Sequence, residues 1–343
     1  MSEQLLECLF LRSQEEQQII LEQAKERVLS ALPYMALGLA ILQAVAWLIV
    51  FTQEIRHPPV GEFVTADGVR LHYLSQGSGR PVVFIHGNDG LLQDFKVALL
   101  PAAARYYQAL AFVRPGHGYS QRESNRIVTA DVQARLIHDA LGKLGVVGPV
   151  IVGHSWGGAV ALAYALNFPD DISGVVLLSA VAFKTPATAG SAQDIADLIP
   201  VVGDLLISSF IVAQRPWVEL NVSDEFSPDC APRDYVDTYT SLVMRPGQVK
   251  AYAQDDLTLN DTLVRMSSHY KEIACPVAIV TGGADQVVPP DLHSYPLSRA
   301  IPGSSLTIIP GAGHPIELTQ VEPIMNAIQQ VWQKAATQAI SRR

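Results

Sequence analysis

The sequence predicts an α/β fold: a mostly parallel central sheet with helices on both faces, a helical cap, and one N-terminal transmembrane helix ahead of it. Three features carry that expectation. From about residue 60, short runs rich in Val, Ile and Leu alternate with helix-length segments, the pattern of strands joined by crossover helices. One run, Ile151-Val152-Gly153, ends in His154-Ser155-Trp156-Gly157-Gly158 and passes directly into a helical stretch. Ahead of all this, Val28 to Gln53 holds no charged residue.

About twenty apolar residues at about 1.5 Å each span a hydrocarbon core of about 30 Å. Residues 30–53 therefore read as a single uncleaved membrane anchor, with Pro33 tolerable in its first turn. A secretory signal peptide is the main competitor, but it has a basic start and a shorter apolar stretch. Here nearly thirty residues precede the run, several of them Glu, and Ala44-Val45-Ala46 lies inside it. A buried soluble helix is a further alternative. Arg12, Lys25 and Arg27 precede the run, and Arg56 and Arg70 follow it, a balance that favours a cytoplasmic amino terminus and an extracytoplasmic main body. Within the tail, 1–29, Leu5-Leu6, Leu9-Phe10 and Ile19-Ile20-Leu21 recur with partial helical period. That tail lies on the bilayer, pairs with another helix or stays solvated.

Beyond the anchor, Gly61–Thr65 and Val69–Leu74 flank Ala66-Asp67-Gly68 and read as a hairpin. Strands are expected near 81–86 and 108–113, with a helix around Leu91–Ala104 between them. A helix over Val128–Leu144 leads to a strand at 149–153. After it come Gly174–Leu178, Val277–Thr281 and Leu306–Ile309 as strands, and a closing helix from Ile316 to about Ala336. The main body divides into a core, 60–181 and 274–336, and an insertion, 182–273.

Gly-His-Ser-Trp-Gly between a strand and a helix is a nucleophile elbow, a strained turn that lifts a serine hydroxyl above the sheet end. Two further strands end at candidate partners. Val277–Thr281 runs into Gly282-Gly283-Ala284-Asp285, and Leu306–Ile309 into Pro310-Gly311-Ala312-Gly313-His314. Open parallel sheets place their sites at that carboxyl edge. With Ser155, Asp285 and His314 in this order, the chain resembles the α/β-hydrolase family over roughly residues 60–336.

The resemblance extends upstream. After the strand Pro81–Ile85 comes His86-Gly87-Asn88, the family's oxyanion-hole segment. It implies the backbone amides of Asn88 and Trp156 as the two oxyanion donors. Arg114-Pro115-Gly116-His117-Gly118-Tyr119-Ser120 matches a mostly structural family segment, except that Val113 replaces the usual Asp. Each candidate has competitors. Asp285 competes with a loop or helix-capping role before Pro289-Pro290. Some relatives place the acid after the sixth strand, where Ser179-Ala180 supplies no carboxylate. His314 competes with His86, His117 and His154, which sit in the oxyanion segment, a Gly-rich turn and the elbow. Asp89 reads as a turn residue.

The triad chemistry would have His314 take the Ser155 proton while Asp285 orients the imidazole. The family's dehalogenases and epoxide hydrolases carry Asp at the elbow, so the serine disfavours those activities. An ester-like bond (carboxylic ester, thioester or lactone) is the leading target, through an acyl-enzyme. The alternatives are a cofactor-free perhydrolase or haloperoxidase-like enzyme, and a catalytically silent scaffold.

Ile195–Val212 and Asp234–Val243 supply apolar and helical segments to the insertion, which looks like the family's cap. Its composition points to a lipophilic acyl substrate, or to residues that merely pack the cap onto the core. The net charge of −9 and the lack of a basic patch argue against a nucleic-acid partner. No Cys or His pair has metal-site spacing, and no cofactor is expected. The three cysteines leave a Cys230–Cys275 disulfide and the oligomeric state open.

Overall fold

The computed structural model describes residues 3–341 except 89, 123–126, 187–189 and 214, with side chains from residue 18 on other than those of 215 and 234. It opens with α1 (Glu3–Arg56), one unbroken helix of 54 residues. Tail and apolar run are thus continuous, and Pro33 lies inside the helix rather than in a first turn. Proline removes one i→i−4 bond there, which the long helix absorbs without ending. α1 is long and apolar enough to cross a membrane, and only a small part of it is buried.

The hairpin forms as expected from β1 (Glu62–Ala66) and β2 (Val69–Gln76), turning at Asp67-Gly68 with φ of 45° and 80°. Two residues at positive φ match the right-handed strand twist. Next come β3 (Pro81–Ile85), α2 (Gln93–Lys96), α3 (Leu99–Ala103) and β4 (Gln108–Phe112). One helix was expected over 91–104. Pro101 explains the split, because its ring would collide with the carbonyl of Val97 in a continuous helix.

The alternation continues with α4 (Ala130–Lys143), β5 (Val150–His154), α5 (Trp156–Asn167) and β6 (Gly174–Leu178). Thr129 caps α4 by accepting the amide of Val132 at 3.4 Å. The described residues of the cap form α6 (Ala192–Leu198), α7 (Val202–Ala213), α8 (Arg215–Glu225), α9 (Arg233–Val243) and α10 (Pro246–Ser267). The core resumes with β7 (Val277–Gly282), α11 (Ser294–Ala300), β8 (Ser305–Ile309), α12 (Ile316–Thr319) and α13 (Val321–Ser341). The closing helix is interrupted at Gln320, where Pro323 denies the carbonyl of Thr319 its bond.

Among the described residues, eight strands form one sheet in the order β1-β2-β4-β3-β5-β6-β7-β8, with β1–β2 and β2–β4 antiparallel and the other pairs parallel. Strand alternation sorts the core into two layers. Val83, Ile85, Ile151, Val175, Leu177 and Ile279 face α4 and α5, whereas Val82, Phe84, Val152, Val176, Leu178 and Val280 face α3 and α13. Burial on both faces makes these strands read as unbroken apolar runs. β5 sits in the middle, so its carboxyl end opens under the cap. Cys230 and Cys275 are free thiols.

Candidate active site

Ser155 sits on the turn from β5 to α5 with φ 51° and ψ −119°, a region that a residue with a Cβ rarely occupies. Its backbone is fixed on both sides. The Ser155 amide donates to Leu178 O at 2.9 Å, and the Ser155 carbonyl accepts from Val181 N at 3.0 Å and Gly158 N at 2.9 Å. The flanking glycines answer to crowding. A Cβ on Gly157 would lie 2.3 Å from Ile85 O, and one on Gly153 would lie 2.3 Å from Gly157 O.

Asp285 and His314 meet across the loops after β7 and β8. Asp285 Oδ2 lies 2.8 Å from His314 Nδ1. Asp285 Oδ1 accepts the amides of Val287 and Val288 at 3.0 and 2.8 Å, so the carboxylate is held from both sides. Its side chain is fully buried, and that of His314 is 6% exposed. With Nδ1 committed to the acid, Nε2 remains to exchange a proton.

A cavity of ≈ 380 Å³ lies above the sheet edge, lined by Gly87, Asn88, Ser155, Trp156 and His314. The cap closes it from above with Phe226, Tyr235, Tyr239 and Tyr252. Four of the five site residues expected from sequence therefore share one cavity, and Asp285 backs His314 from behind. Gly87 stands directly against the serine, since a Cβ there would lie 3.3 Å from Ser155 Cβ. Asp89 lies outside the described residues.

The competing histidines have other employment. His86 Nε2 accepts the amide of Arg114 at 2.9 Å. His117 Nε2 lies 3.1 Å from Asp255, and burial, with Arg114 next, pulls its pKa down to about 3. His154 lies beside His314 with ring centroids 4.7 Å apart, and its Nε2 is 3.2 Å from the His314 carbonyl. Burial, then His314, lowers its pKa well below the usual histidine range.

Three buried groups escaped the sequence reading. Arg114 donates to Gly87 O at 2.8 Å and to Asn88 O at 2.8 Å, gripping the loop that carries the expected oxyanion donor. Its guanidinium also lies 4.4 Å from the Trp156 ring centroid. The balancing charge is Asp255 on α10, which accepts from Arg114, from Arg122 at 2.8 Å and from Gln133 at 3.1 Å. Burial alone would raise the Asp255 pKa, but the two guanidiniums hold it far below the usual carboxylate range. Glu317 is the third. It lines the cavity with its Oε2 3.1 Å from His154 Nε2, and burial, then Asp94, raises its pKa well above the usual carboxylate range. Both directions disfavour the charged form of the group concerned. Glu317 sits three residues after His314 in the sequence, a spacing that could have flagged it.

Residues 80–319 match the alpha/beta hydrolase fold family. The chain belongs to that family. Among individual α/β-hydrolase relatives, it is 25% identical over 284 residues to a 2-hydroxymuconate semialdehyde hydrolase of Pseudomonas putida, covering 79% of this chain and 94% of the relative. It is 28% identical over 260 residues to the dihydrolipoyllysine-residue acetyltransferase component of an acetoin cleaving system from Cupriavidus necator. That match takes in 74% of this chain but under two thirds of the relative, 64%. Among solved structures, a membrane phospholipase A described as a bacterial virulence factor superposes with a TM-score of 0.62 at 17% identity. It covers 91% of this chain and 99% of its own. At that identity the likeness is one of fold.

Proposed function

We propose that this chain is a membrane-anchored serine hydrolase that cleaves an ester-like bond (carboxylic ester, thioester or lactone) in a lipophilic substrate. The observation that carries the reading is the 2.8 Å Asp285–His314 pair beside a cavity that Ser155 also lines. A serine hydroxyl is a weak nucleophile at neutral pH, and a neutral imidazole is the group able to take its proton during attack. Asp285 fixes the tautomer that leaves Nε2 free and stabilises the imidazolium that forms.

The attacked carbonyl oxygen becomes an alkoxide between the backbone amides of Asn88 and Trp156. Each such donor commonly contributes a few kcal/mol to lowering the barrier. The leaving alcohol or thiol takes the proton from His314. Water activated by the same imidazole then hydrolyses the acyl-Ser155 ester. The triad is Ser155, His314 and Asp285, in a core of 60–181 and 274–336 capped by 182–273. The apolar and aromatic cap lining supports an acyl substrate.

Membrane attachment rests on α1, with 1–29 as tail and 30–53 as span. The charges at Lys25 and Arg27 support an inside amino terminus and an outside catalytic domain. The test is fluorophosphonate labelling of membranes carrying the full chain. Labelling of the wild type, absent in Ser155→Ala and His314→Ala, is the expected result. A folded wild type that takes no label overturns the proposal.

A further inference from the structure

The position of the cap along α1 fixes more than attachment. The uncharged run extends from Val28 to Gln53, between Arg27 and Glu54. A span of about twenty residues is needed to cross about 30 Å of hydrocarbon. Placed as early as the run permits, it ends at Trp47; placed as late as the run permits, it begins at Tyr34. Every such placement includes Gln43 to Ala46.

Those are the residues on which the cap docks. Gln43 Nε2 donates to Asp204 O at 3.4 Å, and Ser208 Oγ donates to Gln43 Oε1 at 2.9 Å. Ala46 is 4% exposed and buried with Ile207, Ile211 and Met244. The polar side chain in the middle of an apolar run is thereby answered by α7. A cap helix that packs against the hydrocarbon part of a span lies at bilayer depth itself.

The free face of the cap suits that depth. Val202, Leu206 and Phe210 recur at i, i+4 and i+8 along α7 and are exposed, as are Ile199 before it and Trp217 and Leu220 on α8. On α1, the exposed rings of Trp47 and Phe51 stack at 5.2 Å and add aromatic surface beside the cap. Asp204, the charged residue of α7, is joined to Lys250 of α10 as an ion pair. Such a face, continuous with a membrane span, fits lipid.

A groove of ≈ 1010 Å³ starts at this face, between Leu206, Phe210 and Val218. Its lining shares four residues, Glu225, Tyr239, Tyr252 and Asp256, with the Ser155 cavity. We infer that α7 and α8 seat the cap in the outer layer of the bilayer, and that the groove leads an acyl chain laterally from lipid to Ser155. The inference rests on the reading of α1 as a membrane span and Ser155 as the nucleophile. It makes the substrate an acylated membrane lipid or a similar bilayer-dissolved ester.

The experiment uses the full chain in phosphatidylcholine vesicles, with its three cysteines replaced by serine. Bimane is attached at Trp217→Cys on α8 or, as reference, at Val264→Cys on the exposed side of α10. Acyl-brominated phosphatidylcholine should quench the bimane at 217 at least threefold more than that at 264. Equal quenching overturns the seating. So does cross-linking of residue 217 between copies without quenching, which assigns the face to a second chain. In parallel, Val202→Glu/Trp217→Glu, at positions lining neither cavity, should lower turnover of vesicle-embedded p-nitrophenyl palmitate at least tenfold relative to dissolved p-nitrophenyl butyrate. An unchanged ratio overturns the lateral route. Loss of fluorophosphonate labelling in the wild type would sink the hydrolase reading instead, and bimane quenching would still decide the seating.

Discussion

The two sides of the candidate site are built by different means. On one side, Asp285 and His314 are 29 residues apart and occupy loops after two adjacent parallel strands, so the sheet alone brings them together. On the other, the Gly87–Asn88 loop is gripped by Arg114, whose charge is balanced by Asp255, 141 residues further along in the cap. The first side is a product of topology. The second exists only when cap and core are assembled. Damage to the first should therefore affect chemistry alone, and damage to the second should affect stability and chemistry together.

The largest effect is expected on the first side. On the proposed mechanism, Asp285→Asn keeps the shape and an acceptor for the Val287 and Val288 amides but no longer stabilises the imidazolium. Ester turnover should fall about 10⁴-fold, with a thermal midpoint close to wild type. Rate and melting curves on the same preparation check this. A matching collapse in stability would erase the distinction between the two sides.

Asp255→Ala is the corresponding change on the second side. It leaves Arg114 and Arg122 buried without their carboxylate, and breaking a buried pair by removing one partner costs about 3–5 kcal/mol. Denaturant unfolding should show that loss. Turnover should fall as well, because Arg114 then holds the carbonyls of Gly87 and Asn88 less firmly. Full stability in this variant would mean that the cap and core are not coupled through this pair.

The same contrast explains what could be read from sequence. The places of Ser155, Asp285 and His314 at the carboxyl edge of the sheet were legible because each follows an apolar strand within a few residues, and strand order then determines which loops are neighbours. The hairpin and all the parallel strands were legible for the same local reason. Helix boundaries suffered where a proline sits inside an otherwise helical pattern, as Pro101 and Pro323 do. Arg114 lay within a recognised segment, yet its task depends on Asp255, and no local pattern links the two. The docking of α7 on Gln43 and Ala46 was invisible for that reason too, since it joins segments about 160 residues apart.

Glu317 gives the smallest predicted effect and tests whether the buried pair behind His314 is neutral. A folded-state carboxyl pKa above the usual 4.5 means that the folded chain keeps a proton the unfolded chain releases. Stability is then lost as pH rises above about 4.5, at no more than about 1.4 kcal/mol per pH unit. Gln carries no charge at any of these pH values, so Glu317→Gln escapes that loss. His154 faces Glu317 at 3.1 Å, and its lowered pKa disfavours folding on the acid side. Because both chains retain that histidine, its contribution largely cancels in their difference. The variant should match wild type near pH 4 and become the more stable of the two as pH rises from 5 to 8, measured by denaturant midpoints. A gap of constant size would show that Glu317 titrates alike in the folded and unfolded chains, and one that favours wild type at pH 8 would show an ionised Glu317 paired with a charged His154. The positive charge beside His314 would then oppose formation of the imidazolium, and the side of the site built by topology would itself depend on a buried charge.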